Sequence, residues 1–314
     1  MADVYCIGEM VIDFTPGTEK NSYLRNPGGA PANVAIALSR LGKSAAFCGK
    51  VGDDDFGRFL QETLQENGVE VACAEKTQDA ITTLVFVSLD QNGNRSFTFA
   101  RKPGADMLLS HADIRRQDIQ ACKIVHAGSC SLSAGTARAA TMFALQSARA
   151  LGKLVSFDVN YRALLWKTPE ACAEQVRNVL PFVDFLKISD EESFLLGGEE
   201  ALTGMMHTFG VSLIVLTCGR NPVKALWRGG MLVQPVPDIK ALDTTGAGDA
   251  FWGAALAAFL DAGVTKANQL TEAALKNALW RGAVAGTLCV QRYGAIPALP
   301  ELAELEAGVR AMSI

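Results

Sequence analysis

Histidine is scarce. Only three occur, at 111, 126 and 207, so a mechanism resting on a histidine pair starts without material. The eight cysteines, at 6, 48, 73, 122, 130, 172, 218 and 289, form no CxxC pair. Neither a zinc site nor a disulfide framework is indicated, and small buried thiols in a reducing compartment are the expectation. No run of about 18 apolar residues is present, which excludes an obvious membrane helix. A basic excess is also missing. There are 29 Lys plus Arg against 33 Asp plus Glu, for a formal charge of −4. That balance argues against a dedicated nucleic-acid binder. At the N-terminus, Asp3 and Glu9 stand where a signal peptide needs positive charge and an unbroken apolar run. The chain is therefore expected in the cytoplasm. Two nucleotide fingerprints fail as well. Gly42-Lys43-Ser44 ends like a Walker A motif, but position 37 is Ala and the triplet closes a helical stretch. Gly246 and Gly248 are followed by Phe251, not by the third glycine of GxGxxG, which disfavours a nicotinamide oxidoreductase.

What is present is an ordinary globular composition, 49% hydrophobic and 20% charged over 314 residues. Short apolar runs at Val4–Ile7, Ala45–Cys48, Ile124–Ala127, Leu154–Phe157, Phe185–Ile188 and Leu213–Thr217 read as buried strands. Amphipathic stretches such as Phe56–Asn67, Thr136–Leu151 and Pro169–Leu180 lie between them. This alternation predicts an α/β fold, a mostly parallel sheet with helices on both faces. One segment departs from it. Ile81–Leu89 is rich in β-branched residues, Gln91-Asn92-Gly93-Asn94 follows, and then Arg95–Phe99. Asn-Gly between such runs signals a hairpin. With Met10–Phe14 and the stretch around Tyr23-Leu24-Arg25, it predicts a small β-sheet lid on the α/β body. The expected organisation is a single domain over 1–314, with lid strands inserted at about 10–26 and 81–102.

The most informative string is Asp243-Thr244-Thr245-Gly246-Ala247-Gly248-Asp249-Ala250. Small and apolar residues run helically from Gly246 to about Asp261, and Gly263 supplies a stop. The glycines thus sit at a helix N-terminus, where unpaired amides and the helix dipole favour an anion. Asp249 in the first turn would lie beside a bound phosphoryl group, the place for a general base in phosphoryl transfer. A second string is Pro27-Gly28-Gly29-Ala30-Pro31-Ala32-Asn33. Pro31 suits the first turn of a helix running to about Leu41. Gly28 and Gly29 open backbone amides to a ligand, and Asn33 can offer a polyol both a donor and an acceptor. A plain glycine turn before a helix explains this second string equally well when it is taken alone. Taken by themselves, Arg162 reads as a surface residue, Phe251 and Trp252 as helix core, and His126 as a satisfied core residue.

Together, PGGAPANVA at 27–35 and DTTGAGDAFWGA at 243–254 resemble the two signatures of the ribokinase (PfkB) carbohydrate kinases. The resemblance runs through Ile7-Gly8-Glu9, Asp13, Gly49–Gly57, Pro103–Asp106 and Gly294-Ala295. Asp158-Val159-Asn160-Tyr161-Arg162 with Leu165-Trp166 is most similar to bacterial fructokinases. The resemblance implies an ATP- and Mg²⁺-dependent kinase of a sugar, with fructose first. The alternatives are 2-keto-3-deoxygluconate, a ribosyl acceptor, or a non-catalytic sugar-binding relative.

It implies Asp249 as catalytic base and the amides of Gly246, Ala247 and Gly248 as the anion hole. Asp13, Gly28, Gly29 and Asn33 would bind sugar hydroxyls, and Arg162 would lie near the sugar. The hairpin bearing Phe97, Phe99 and Arg101 would close over it. Lys187, Glu192, Thr217 and Gly219 would border the nucleotide. Asp243 and Thr245 match ligand positions for a monovalent cation such as K⁺, and an apolar lid face could be covered by a second subunit. Two departures stand out. Ser189 replaces Asn in the Asn-x-x-Glu motif ending at Glu192, and Pro222 follows Gly219 where a GxxG loop is usual.

Overall fold

The computed structural model describes residues 1–17, 19, 21–73, 75–89 and 95–312. The first third contains β1 (Val4–Ile7), β2 (Val11–Pro16), β3 (Tyr23–Gly28), α1 (Ala30–Arg40), β4 (Ala45–Cys48), α2 (Asp55–Glu66), β5 (Glu70–Val71), β6 (Leu84–Leu89) and β7 (Arg95–Ala100). Next come α3 (Arg116–Ala121), β8 (Ile124–Gly128), α4 (Ala137–Ala150), β9 (Leu154–Asp158), α5 (Pro169–Val179), β10 (Phe185–Ser189), α6 (Leu202–Phe209) and β11 (Leu213–Cys218). The last part holds β12 (Asn221–Trp227), β13 (Gly230–Gln234), α7 (Ala247–Asp261), α8 (Glu272–Cys289) and α9 (Leu302–Ala311).

The large sheet has the order β13-β12-β11-β10-β9-β8-β1-β4-β5. Strands β11 through β5 in that order pair in parallel, and β12 and β13 add an antiparallel edge. The six expected strands all lie in it, within a residue of the predicted ends. Their continuous apolar runs follow from burial on both faces. In β1, Val4 and Cys6 join one core with α1, α7 and α8, and Tyr5 and Ile7 join the other with α3, α4 and α5. The β12–β13 hairpin was not anticipated. Pro222 is accommodated there because the β11–β12 register shifts between Leu216 and Cys218, and a bulge is where a strand tolerates a missing donor.

Helix starts have local causes. Asp54 accepts from Gly57 N at 2.7 Å to cap α2, and Thr168 and Thr271 cap α5 and α8 in the same way. The two helices that begin on glycine, α1 and α7, have no side-chain cap.

The second sheet has the order β3-β2-β6-β7. Its β2–β3 and β6–β7 pairs are antiparallel and its β2–β6 pair is parallel. The strand expected from Ile81 begins only at Leu84. Thr82 and Thr83 are drawn off by the body: Thr82 Oγ1 and N both donate to Asp54, at 2.8 Å each, and Thr83 Oγ1 donates to Asp106. The expected turn at 91–94 lies outside the described residues. On β7, Phe97 is exposed and Phe99 half-buried, which fits their shared alternation on one hairpin.

Candidate active site

Glycine at 246 is obligatory twice over. Its φ is +79°, and a Cβ there would lie 2.8 Å from Ala295 Cα. This turn starts α7. The Ala247 N–H makes a long 3.3 Å bond to Thr244 O, whereas Gly246 and Gly248 N–H have no such bond among the described residues. The expected anion cradle therefore has two uncommitted amides and one loosely engaged. Asp243 stiffens the approach to it. Its Oδ1 accepts from Thr245 N at 3.0 Å and Thr245 Oγ1 at 2.6 Å, and its Oδ2 accepts from Gly294 N at 3.0 Å.

Asp249 projects from the first turn of α7. Its Oδ2 accepts from Asn33 Nδ2 at 2.8 Å, across 216 positions of sequence. Close helix packing makes that reach possible: a Cβ on Gly253 would sit 2.6 Å from Ala37 Cβ, so α7 lies tightly against α1. Trp252, one turn beyond Asp249 and fully buried, donates from Nε1 to Ser156 Oγ at 2.8 Å, and Ser156 Oγ lies 3.0 Å from His126 Nδ1. Burial, aided by Lys187, pushes His126 down to about 3. It is a neutral core group, and Trp252 is helix core.

Gly29 has φ +115°, and a Cβ there would meet Glu9 O at 2.4 Å. Gly28 is equally confined: a Cβ would lie 2.1 Å from Asp13 Oδ2. Asp13, Gly28, Asn33 and Asp249 thus form one group. Arg162 is exposed, hydrogen-bonded to Tyr161 O at 3.1 Å, and close enough to influence both acids electrostatically. Burial pushes Asp249 up to about 6 against the Asn33 hydrogen bond and the Lys187 charge, with Asp158 adding to the rise. Burial likewise pushes Asp13 up to about 6, with Arg162 opposing and Asp249 reinforcing.

Lys187 lies behind the cradle, and a Cβ on Gly248 would be 3.2 Å from its Nζ. It forms a buried ion pair with Asp158 Oδ2 at 2.7 Å. Burial disfavours its charge, yet its pKa is raised because Asp158, Glu192 and Asp249 outweigh that effect. Asp158 Oδ1 is buried with no hydrogen-bond partner, as is Asn33 Oδ1. Glu192 ties two loops together, accepting from Tyr161 N at 2.6 Å and Ser189 N at 3.0 Å. Ser189 Oγ accepts from Glu192 N at 3.2 Å, so the serine replacing Asn serves as the local turn cap. Thr217 is the penultimate residue of β11, and its carbonyl accepts from Asp190 N at 2.9 Å. Gly219, at φ +59°, makes the turn into β12 with open space where a side chain would stand.

Two expected residues lie apart from this group. Arg101 does not present its guanidinium freely: it donates to Asp106 Oδ2 at 2.6 and 2.8 Å and to Ser133 Oγ at 3.0 Å, and its side chain is 6% exposed. It joins the small sheet to the body. Phe99 pairs with Val85 in the small sheet. Sequence reasoning missed two acids. Asp158 ends an apolar strand opposite Lys187, itself a charge inside an apolar strand, and that double anomaly was its signal. Glu9 is 7% exposed and accepts from Ala30 N at 3.2 Å, with Oε2 unpartnered. Burial pushes it up to about 7, helped by Asp106 and opposed by its own amide and Arg101.

Glycine-cradled amides beside a buried cation and a carboxylate are the groups that transfer of a phosphoryl group to an alcohol calls for. The sequence profile of the pfkB family carbohydrate kinases matches residues 1–302, and the chain belongs to that family: it is a sugar kinase with the ribokinase-like fold. It is 38% identical to the probable fructokinase-5 of Arabidopsis thaliana, over 96% of each chain. Among solved structures it resembles the ATP-bound fructokinase of Xylella fastidiosa, with TM-score 0.92, 32% identity and 99% of each chain covered. A double mutant of the Vibrio cholerae O395 fructokinase, with fructose, ADP and a potassium ion bound, superposes with TM-score 0.87 at 34% identity over 98% of each chain.

Proposed function

We propose that this protein transfers the γ-phosphoryl group of ATP to a hydroxyl of fructose. The observation that carries the chemistry is the Asp249 carboxylate, fixed by Asn33 at 2.8 Å in the first turn of α7 beside the Gly246–Gly248 amides. The fructose assignment rests on the likeness to fructokinases.

In this reading the sugar lies between Asp13, Gly28, Gly29 and Asn33. A hydroxyl can donate to the orphaned Asn33 Oδ1, and the Asp13 carboxylate accepts another. Arg162 supplies a positive edge. Asp249 takes the proton of the attacking hydroxyl, and at neutral pH a group with pKa about 6 is mostly ionised and ready to do so. The amides of Gly246, Ala247 and Gly248, with Lys187 behind them, stabilise charge on the moving phosphoryl oxygens. ATP lies along Lys187, Glu192, Thr217 and Gly219.

The fit to Mg²⁺ rests on Asp158 Oδ1, a buried carboxylate oxygen without a partner. No cluster of three or more His, Cys, Asp or Glu that could cage a metal is found among the described residues, and Mg²⁺ is commonly held by one or two carboxylates plus the substrate's phosphates. It would neutralise phosphate charge there. The buried Asp243 carboxylate and the Thr245 hydroxyl are hard oxygen donors of the kind K⁺ takes.

The small sheet, carrying Phe97 and Phe99 and joined to the body by Arg101 just past β7, would act as a lid on a single 314-residue domain and exclude water on closing. Its exposed Tyr23, Leu24 and Phe97 would be covered by a second copy in a homodimer. No helix of the described residues is long and apolar enough to cross a membrane. Eight free, buried cysteines fit a reducing cytoplasm.

The deciding experiment is ADP release over a panel of fructose, 2-keto-3-deoxygluconate, ribose and ribosides. The expected result is the highest kcat/KM with fructose. Preference for a carboxylated or ribosyl acceptor would move the assignment within the family, and no sugar-dependent ADP release would make the protein a non-catalytic relative.

A further inference from the structure

We propose a second ligand site, for a small molecule carrying a phosphate dianion, at the end of the large sheet opposite the active site. A cavity of about 760 Å³ opens there, with Arg149, Lys153, Arg228 and Lys266 on its wall beside a single carboxylate, Asp184. The setting is unusual for a chain of net charge −4. The strands locate it. Asp184 immediately precedes β10, whose other end is Ser189, with Lys187 at mid-strand. A five-residue strand is roughly 16 Å long, so the cavity lies at the N-terminal ends of the strands and the active site at their C-terminal ends, and the two share no residue.

Helix ends alone do not explain the cations. Arg149 lies in the last turn of α4, where a positive charge complements the exposed carbonyls. Arg228 belongs to the β12–β13 turn, and Lys266 to the connection between α7 and α8, where it starts a short 3-10 turn at Ala267–Gln269; neither position has exposed helix carbonyls for a cation to complement.

The carboxylate is already committed. Asp184 Oδ1 pairs with Arg149 at 2.7 Å, and Oδ2 accepts from Val155 N at 2.9 Å. Its side chain is 7% exposed, so it serves as an anchor that orients the guanidinium. The other cations meet only neutral oxygens: Lys153 donates to Gln120 O at 2.6 Å and Arg228 to Leu270 O at 2.7 Å. Lys266 forms no ion pair among the described residues. Three positive charges are thus left without a matching acid, the complement of a dianion rather than of a single carboxylate. Met206 and the buried Leu270 add an apolar wall, room for the carbon skeleton of a phosphate ester.

The proposal does not rest on the kinase reading, and its test reads the two sites separately. The full-length protein is titrated with inorganic phosphate and, in parallel, with glycerol 3-phosphate. Binding is followed by calorimetry and by backbone amide exchange. The expected result is saturable binding of one anion with protection at 206–212 and 266–270. In K153Q/K266Q the affinity should fall at least about tenfold, with kcat for the sugar unchanged. Tighter binding of glycerol 3-phosphate assigns an ester, and equal or weaker binding assigns free phosphate. Protection confined to 244–250, unsaturable binding, or wild-type affinity in the double variant would overturn the site.

Discussion

The two sheets obey the same pairing rules and solve opposite problems. Every residue of β1, β4, β8 and β9 is buried, whereas β3 runs from three exposed residues to one buried glycine. The large sheet is covered on both faces by helices, so its strand ends are rigid posts for charged groups. The small sheet leaves Tyr23, Leu24 and Phe97 in solvent and meets the body through the Arg101–Asp106 pair, the two threonines, and the packing of Phe14 on Phe56 and Arg25 on Phe59. Chemistry belongs on the first kind of sheet, because a misplaced carboxylate loses rate quickly. A cover, the part proposed for the small sheet, suits the second, because a cover must part from the body and return.

The largest effect is expected in the first turn of α7. Asp249→Asn keeps the side-chain shape and removes the proton acceptor. We expect kcat to fall by about 10²–10⁴-fold with ATP binding and folding intact, as read by single-turnover kinetics and a thermal melt. Near-wild-type turnover would refute the role of Asp249. Lys187→Met attacks rigidity. It leaves Asp158 as an unpaired buried charge, and loss of about 3–5 kcal/mol of stability is expected by urea denaturation; Lys187→Met with Asp158→Asn should recover part of it.

Proton linkage gives a milder probe. Asp249 and Asp13 are both raised to about 6 in the native state, above the ordinary carboxylate value near 4. The native protein therefore holds more protons than the unfolded chain between about pH 4 and 6. The stabilising contribution of these groups is present below pH 4 and is lost as pH rises through 6. Activity runs the other way. The base must be ionised, so kcat/KM should fall tenfold per unit below about pH 6. A profile flat to pH 4.5 would remove Asp249 from the rate-determining step. At the small sheet, Phe97→Ser should change monomer stability by less than about 0.5 kcal/mol, yet weaken self-association in sedimentation experiments. If it lowers the melt as a core substitution does, the lid face is packed rather than open.

Much of this was readable beforehand because the signals are local. Runs such as Leu154–Phe157 identify strands buried on both faces, and Gly246 with Gly248 marks the start of α7. The failures are also informative. Ile81–Thr83 has strand composition, but Asp54 and Asp106 claim its threonines, and no window of sequence contains both partners. Arg101, expected at the sugar, donates to Asp106 and Ser133, partners that lie 5 and 32 positions away. The β12–β13 hairpin escaped notice because a proline opens it, and only the register shift beside Cys218 makes that proline harmless.

The sequence alone determined the α/β alternation, the glycine turn before α7, the acid one step inside that helix, and the family. Each of these is written in neighbouring residues, where backbone sterics and side-chain periodicity act directly. Only the tertiary structure decided that Asn33 would meet Asp249, that Lys187 would meet Asp158, and that cations from three separate segments would surround one cavity. Such contacts, and the burial that raises the acids, depend on which distant segments the core brings within a few ångströms, and Coulomb and desolvation effects respond to that distance rather than to position along the chain.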